Sequence, residues 1–390
     1  MSIPAFITPA FLTAAVANFL FFTNLSAFFL LPLHLKQLGA TESHIGLVMG
    51  LYSGTAIVCQ PVVGAWVDRA GRRPFMVIGA GLAMLACLCY AAAPAAVGLF
   101  PVFRILQGLG YSLYFIANFT LVVDLVPPER RGQALGVFGI SGLTSTAVGP
   151  ALGEVVVRAF GFRAFFLATA AVAGASLVVS SRVSEPPRQT PAGGSEGLAG
   201  LVRGVLGAPR LPMSLAFAFG LGLGVVFTFF PTYAASLGAG RVGLFAVAYS
   251  MAALTVRAAG GPWMDRVRRR QIIVPALVLQ ALSAALLAGL APLTRSAGVP
   301  ALPVLFLVGL LAGAAHGFLY PALSALVMDV TPEGQRGRVI GVFSAFILSG
   351  QAIGAVVFGS VAHAVGYPLM FGLLAVLLGG ACVLGLRLDR

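Results

Sequence analysis

Charge is scarce in this chain. Only 9% of its 390 residues are Asp, Glu, Lys or Arg, and 11 of those are acidic, while 59% are hydrophobic. The mean hydropathy is +0.99. No water-soluble fold has interior enough to hide that much apolar surface, so the composition excludes a soluble enzyme or binding module. Cysteine is sparser still. Cys59, Cys87, Cys89 and Cys382 all fall inside apolar runs, at spacings that exclude a disulfide framework and a zinc site, and they read as small packing residues. The 4 histidines are too few and too scattered for a metal cluster. No phosphate-binding glycine loop is present, which excludes ATP as an energy source, and no cofactor is expected. No nucleophile–base pair or acid pair can be placed in one cavity, so an enzyme is not expected. The first residues lack the basic stretch that opens a cleaved signal peptide.

What is present is a succession of long apolar runs. Twelve reach the ~20 residues needed to cross a bilayer as a helix. They lie near 10–33, 46–66, 75–93, 99–122, 133–157, 164–181, 211–234, 242–262, 272–291, 303–328, 339–361 and 368–386 and are numbered spans 1–12. A membrane barrel would need short alternating strands instead. The expected fold is therefore an all-α membrane protein of twelve transmembrane helices. The net charge of +13 does not point to nucleic acid, because its placement tracks topology. With the N-terminus inside, the outer loops hold only Lys36, Arg158, Arg163, Arg241 and Arg295, the spans hold Arg104 and Arg257, and every other basic residue falls on the inner side. That asymmetry predicts both termini in the cytoplasm.

The chain also repeats itself. Gly64-Ala65-Trp66-Val67-Asp68-Arg69-Ala70-Gly71-Arg72-Arg73 returns as Gly261-Pro262-Trp263-Met264-Asp265-Arg266-Val267-Arg268-Arg269-Arg270, and the chain's two tryptophans occupy the same place in both copies. Pro32 followed by Leu38-Gly39 returns as Pro231 followed by Leu237-Gly238. The segment from Gly108 to Gly136 realigns 205 residues later, so that Asp124 matches Asp329 and Gly132 matches Gly337. Two pseudo-symmetric six-helix bundles follow, over 1–181 and 211–390, with the site expected near mid-membrane where the repeats meet. Residues 182–210, rich in Pro, Gly, Ser and Arg, read as a cytoplasmic linker, either a plain tether or one carrying a surface helix near 197–208. One chain supplies both halves, so a monomer is expected.

The Gly64–Arg73 hairpin resembles the loop 2–3 signature of the major facilitator superfamily, and Gly261–Arg270 resembles its degenerate second copy, with Arg268 in place of the central glycine. Arg104-Ile105-Leu106-Gln107-Gly108-Leu109-Gly110 looks like the fourth-span motif of proton-coupled members. Gly149-Pro150-Ala151-Leu152-Gly153 looks like the core of the fifth-span motif of antiporters, although Ser141 and Ser145 stand where its upstream glycines would be. The resemblance covers essentially the whole chain and implies a transporter of the drug/proton antiporter-like branch that works by alternating access.

It also implies roles for particular residues. Asp68 would accept hydrogen bonds from the start of span 11, near Gly337, as carboxylates do at helix N-termini. Arg69 and Arg72 would reach Asp124, completing a latch on the cytoplasmic side, with Asp265, Arg266 and Asp329 as its mirror; the plainer alternative is a solvated loop whose arginines only fix topology. Arg104 stands inside span 4 at a cost of about 2.5–3.5 kcal/mol on insertion scales. Its repeat partner is Gly309, so the scaffold does not require it. Glu154, at a similar depth in span 5, is its expected partner, either as a proton-coupling pair or as a static one. Arg257, whose repeat partner is Gln60, is expected to snorkel or to serve the latch at the inner face.

The cavity-lining helices implied by the resemblance are spans 1, 4, 7 and 10. Their candidates for binding a small-molecule substrate are Asn18, Phe22, Asn24, Tyr111, Tyr114, Asn118, Phe227, Thr228, Tyr233, His316 and Tyr320, with Tyr52, Ser145, Tyr249 and Gln351 added by neighbouring spans. The pocket is mostly apolar with scattered hydrogen-bonding groups. Spans 1, 7 and 10 hold no acid before Asp329, so neutral or anionic amphiphiles fit it better than cations. The expected function is proton-coupled export of such compounds from the bacterial cytoplasm across the inner membrane. Import of sugars or organic acids by symport or uniport, and a transport-silent sensor or lipid-handling role, are the alternatives.

Overall fold

The computed structural model describes residues 7–127, 130–185, 203–264, 266–296, 298–331 and 336–388. Among them are helices and turns and no strand. Helix α1 (Pro9–Ala27) passes through a 3-10 turn, Phe28–Leu30, into α2 (Leu31–Gln37), and together they form span 1. Spans 2, 3 and 4 are α3 (Glu42–Ala70), α4 (Arg73–Ala92) and α5 (Phe100–Asp124). Spans 7 to 10 are α7 (Arg210–Ser236), α8 (Gly243–Met264), α9 (Arg269–Ser296) and α10 (Ala301–Asp329).

The other two helices, α6 (Arg131–Ser180) and α11 (Arg336–Gly385), are each 50 residues long. At 1.5 Å per residue such a helix is roughly 75 Å long, more than twice a ~30 Å hydrocarbon core. Each is therefore two crossings, and the break falls at one glycine in each: Gly161 (φ 79°, ψ 177°) and Gly366 (φ 79°, ψ 168°). Side chains disfavour that conformation and glycine does not. The two glycines lie at the same place in the repeat, so spans 5–6 and 11–12 are joined by the same reversal. Helix starts are equally legible: Thr8 Oγ1 accepts from Phe11 N at 3.2 Å, and proline occupies the first turn of spans 1, 3 and 4. Spans 1 and 7 also end alike, with Ala40 N donating to Leu35 O and Ala239 N to Ala234 O, both at 3.0 Å.

Contacts group the chain into two compact units, Met1–Phe28 with Thr55–Gly200, and Phe29–Gly54 with Leu201–Arg390. In the first, Phe21 stacks on Tyr114 at 3.7 Å among Phe11, Val63, Met76 and Leu121. In the second, Phe219, Ile273, Leu323 and Phe343 form the equivalent core. Residues 29–54 belong to the second unit for clear reasons. Phe29 packs against Phe227, Phe230 and Phe245 at 5.7–6.1 Å, and Gly46 and Gly50 let span 2 lie backbone to backbone on span 11. Of the expected linker, residues 186–202 lie outside the described residues, and 203–207 are helical.

Large apolar side chains stay exposed along the helices, Phe160 by 76% and Val376 by 73%, as lipid-facing positions require. Trp66 and Trp263 are also half exposed, at 51% and 48%, beside their hairpins. Half-exposed tryptophans suit the membrane–water interface.

Candidate functional site

The two hairpins carry matching ion pairs. Arg72 sits at the N-cap of span 3, and its Nη2 lies 2.8 Å from Oδ2 of Asp124, the last residue of span 4. In the second unit, Arg269 begins span 9 and its Nε lies 2.9 Å from Oδ2 of Asp329, the last residue of span 10. Arg269 occupies the hairpin position of Arg72, so one bridge is the repeat of the other. Arg266, expected in this mirror pair, is instead exposed. Arg269 holds Asp329 because it opens the next helix and so faces the foot of span 10. Arg69 is likewise exposed, while Arg72 makes the bridge. The side chain of Asp68 and the whole of Asp265 lie outside the described residues, and so does the expected contact of Asp68 with the start of span 11.

Arg104 is 5% exposed, one turn into span 4. Its Nη1 donates to Gln107 Oε1 at 3.0 Å, and its guanidinium lies 5.7 Å from the centre of the Phe28 ring. Glu154 takes both Nη2 of Arg158, at 2.6 Å, and its Nε, at 3.1 Å, from one turn along its own helix. Each of these two charges has a hydrogen-bonded partner within its own helix. Gln107 was legible at helical i,i+3 spacing from Arg104.

The cavity candidates separate by exposure. Asn18 joins spans 4 and 5: Asn118 Nδ2 donates to Asn18 Oδ1 at 3.1 Å, and Asn18 Nδ2 donates to Ser141 Oγ at 2.8 Å. Asn24 has no exposed surface; its Nδ2 donates to Thr169 O at 2.8 Å and lies 3.1 Å from Cys87 Sγ. Tyr114 is fully buried against Phe21. Tyr233 is 2% exposed, and its hydroxyl accepts from Ala291 N at 3.1 Å, tying span 7 to span 9. In this conformation these five residues hold helices together and are closed to a ligand.

Two half-exposed aromatic patches remain. In the first unit, Phe22, Tyr111 and Phe115 cluster, with Tyr111 stacked on Phe115 at 5.3 Å. In the second, Phe227 packs edge-on to Tyr249 at 5.0 Å, and the Tyr249 hydroxyl lies 2.5 Å from His316 Nδ1. His316 stacks on Tyr320 at 6.0 Å, and Arg257 lies over Tyr320 at 5.8 Å. Arg257, expected to snorkel or to serve the latch, is part of this cluster.

Glu42, at the start of span 2, was not singled out from sequence. It accepts from Lys36 and, at 3.2 Å, from the Tyr367 hydroxyl, and it lies 3.6 Å from His363 Nδ1. With the Phe29 contacts, it ties the connection between spans 1 and 2 to spans 7, 8, 11 and 12. Tyr367 and His363 stand more than 300 residues away in the chain, so local sequence carried no signal of them. Among the described residues, no three His, Cys, Asp or Glu side chains are grouped to hold a metal ion.

Among the described residues, ten apolar helices, two of them double-length, with paired bridges at equivalent places in a repeat, define a multi-pass membrane protein built of two similar halves. The family model of the Major Facilitator Superfamily matches residues 11–299 and 213–390, and the chain belongs to that superfamily. It is 27% identical to the multidrug resistance protein MdtG of Enterobacter lignolyticus, over 92% of this chain and 87% of that one. It is 23% identical to the staphylopine export protein of Staphylococcus aureus, over 93% and 91% of the two chains. With the multi-drug resistance efflux pump PmrA of Streptococcus pneumoniae the identity is 25%, over 91% and 90%. Among solved structures, a point mutant of the nucleoside transporter NupG matches with a TM-score of 0.79 at 15% identity, covering 98% of this chain and all of that one. The human organic anion transporter MFSD10 matches with a TM-score of 0.71 at 20% identity, covering 97% and all of the two chains. Both show a shared fold.

Proposed function

We propose that this protein is a proton-coupled exporter of small amphipathic neutral or anionic compounds, acting as a monomer by alternating access in the bacterial inner membrane with both termini in the cytoplasm. The observation that carries the reading is its similarity, over 91–93% of its length, to relatives named for multidrug resistance, export and efflux. The repeated Arg72–Asp124 and Arg269–Asp329 bridges support alternating access, since each fastens the hairpin between two spans to the foot of a third. Asp68 and Asp265 complete the latch in this reading.

Arg104 is the coupling residue. A cation inside a span is retained for function rather than for packing. Glu154 is the proton site: its pairing with Arg104 couples the charge to the conformational change, and protonation breaks that pair. The half-exposed Phe22, Tyr111, Phe227, His316 and Tyr320 contact substrate.

The test is reconstitution in liposomes with a pH-sensitive dye trapped inside, against a panel of neutral, anionic and cationic compounds. The reading predicts a proton flux triggered by neutral and anionic members and lost in Arg104→Ala. Binding without any flux would contradict proton coupling and favour a uniporter or a transport-silent protein.

A further inference from the structure

The second unit holds a cluster of hydrogen-bond donors with no anion to receive them. Arg257 is half-buried in span 8, its Nε is buried without a hydrogen-bond partner, and no carboxylate among the described residues pairs with it. Its nearest named neighbours are Tyr320, whose ring lies under the guanidinium, and Tyr249 and His316, which are within its electrostatic reach. The Tyr249 hydroxyl and His316 Nδ1 share a hydrogen bond, and in the tautomer in which the hydroxyl donates, the imidazole proton stands on Nε2. The Tyr320 hydroxyl is also unclaimed, and that residue is 38% exposed, so the cluster is open on that side. Phe219, edge-on to His316 at 5.3 Å, and Phe343, 6.1 Å from Tyr320, close it with apolar surface.

The repeat shows that the scaffold does not need these groups. Where the second half has Arg257, His316 and Tyr320, the first has Gln60, Tyr111 and Phe115. Tyr111 stacks on Phe115 much as His316 stacks on Tyr320, so the backbone and ring geometry are shared and the charge is added. An unpaired guanidinium at the edge of an apolar cluster is unfavourable until an anion reaches it, and a planar carboxylate matches its donor fork.

We propose that Arg257, His316 Nε2 and the Tyr320 hydroxyl form the binding subsite for the carboxylate of an amphipathic acid, with the apolar body lying on the Phe219–Phe227 side. This rests on the export reading only for calling that acid a substrate; the binding itself needs neither a gradient nor transport.

The probes are 6-methoxy-2-naphthylacetate and its carboxamide, which share a body and differ in charge. Binding is measured by equilibrium dialysis on the purified full chain in nanodiscs of phosphatidylcholine. The acid should bind at least tenfold tighter than the amide. Arg257→Gln should weaken the acid tenfold or more and leave the amide within twofold, while Arg257→Lys keeps part of the preference. His316→Gln, should Arg257→Gln fail to fold, should weaken the acid about threefold and again spare the amide.

Equal weakening of acid and amide would make Arg257 a packing residue and overturn the proposal, as would an Arg257→Gln protein that binds both probes as the wild type does. Loss of acid binding to the wild type when phosphatidylglycerol replaces phosphatidylcholine, with binding of the amide unchanged, would assign the site to an anionic lipid headgroup and also overturn it. Arg257-dependent acid binding without proton flux in liposomes would sink the export reading and leave the subsite standing. Flux with neutral compounds and no acid preference would do the reverse.

Discussion

The two halves solve the same packing problem with different chemistry. In the first, Asn18, Asn118 and Ser141 are hydrogen-bonded in a chain across spans 1, 4 and 5. Their repeat partners in the second half are Phe217, Leu323 and Phe346, three apolar residues at the same crossing. In the aromatic patches the trade runs the other way: Gln60, Tyr111 and Phe115 correspond to Arg257, His316 and Tyr320 in the repeat. The hairpin bridges, the span ends and the glycine breaks at Gly161 and Gly366 are duplicated; the interiors are not. Duplication keeps the hairpin bridges and the breaks between spans, and divergence places a polar clamp in one half and an open cluster of donors in the other.

The largest expected effect tests whether the intramembrane charge of the first half is functional. Arg104→Ala should abolish gradient-driven transport and preserve downhill substrate exchange, and Glu154→Gln should do the same. Loss of exchange as well would reduce either residue to a structural part, and full retention of gradient-driven transport would remove it from coupling.

Next comes the polar clamp. Asn118→Leu copies the second half's solution at a single position, leaving Asn18 Oδ1 without its donor. It should lower stability by about 1–3 kcal/mol, read as a reduced thermal midpoint in detergent. Replacing Asn18 by Leu as well should add little further loss, because the two residues share one interaction. Additive losses would mean that they act independently and that the clamp is not a unit.

The smallest effects concern the bridges, which are partly exposed. Arg72→Ala and Arg269→Ala should each cost about 0.2–1 kcal/mol. The effect of Arg72→Ala should be the larger, since its side chain is 14% exposed against 27% for Arg269. Both should raise the rate of downhill leak in liposomes, the latch being weakened. Equal stability with unchanged leak in both variants would make the bridges ornaments of the loop.

Much of this was written plainly in the sequence. Span number, the breaks between spans 5 and 6 and between 11 and 12, and the equivalence of the hairpins follow from hydropathy and from self-alignment, because lipid forces every crossing into a helix. Arg269 was legible too, since it aligns with Arg72; the Asp-Arg pairs drew attention to the neighbouring Arg266 instead. Burial within a span was not legible. Asn24 and Tyr114 lie on expected cavity-lining helices, yet a modest rotation about the helix axis decides whether such a residue meets substrate or Phe21 and Thr169. Nor was Glu42 legible, for its partners Tyr367 and His363 reach it only through tertiary packing.

The central claim is that a proton gradient drives an amphipathic compound out of the cytoplasm. Inside-out membrane vesicles with an acid interior test it most directly. The account predicts that a neutral or carboxylated amphiphile accumulates in them above its outside concentration and leaves when a protonophore collapses the gradient. Accumulation only in right-side-out vesicles, or equilibration that ignores the gradient, would contradict it.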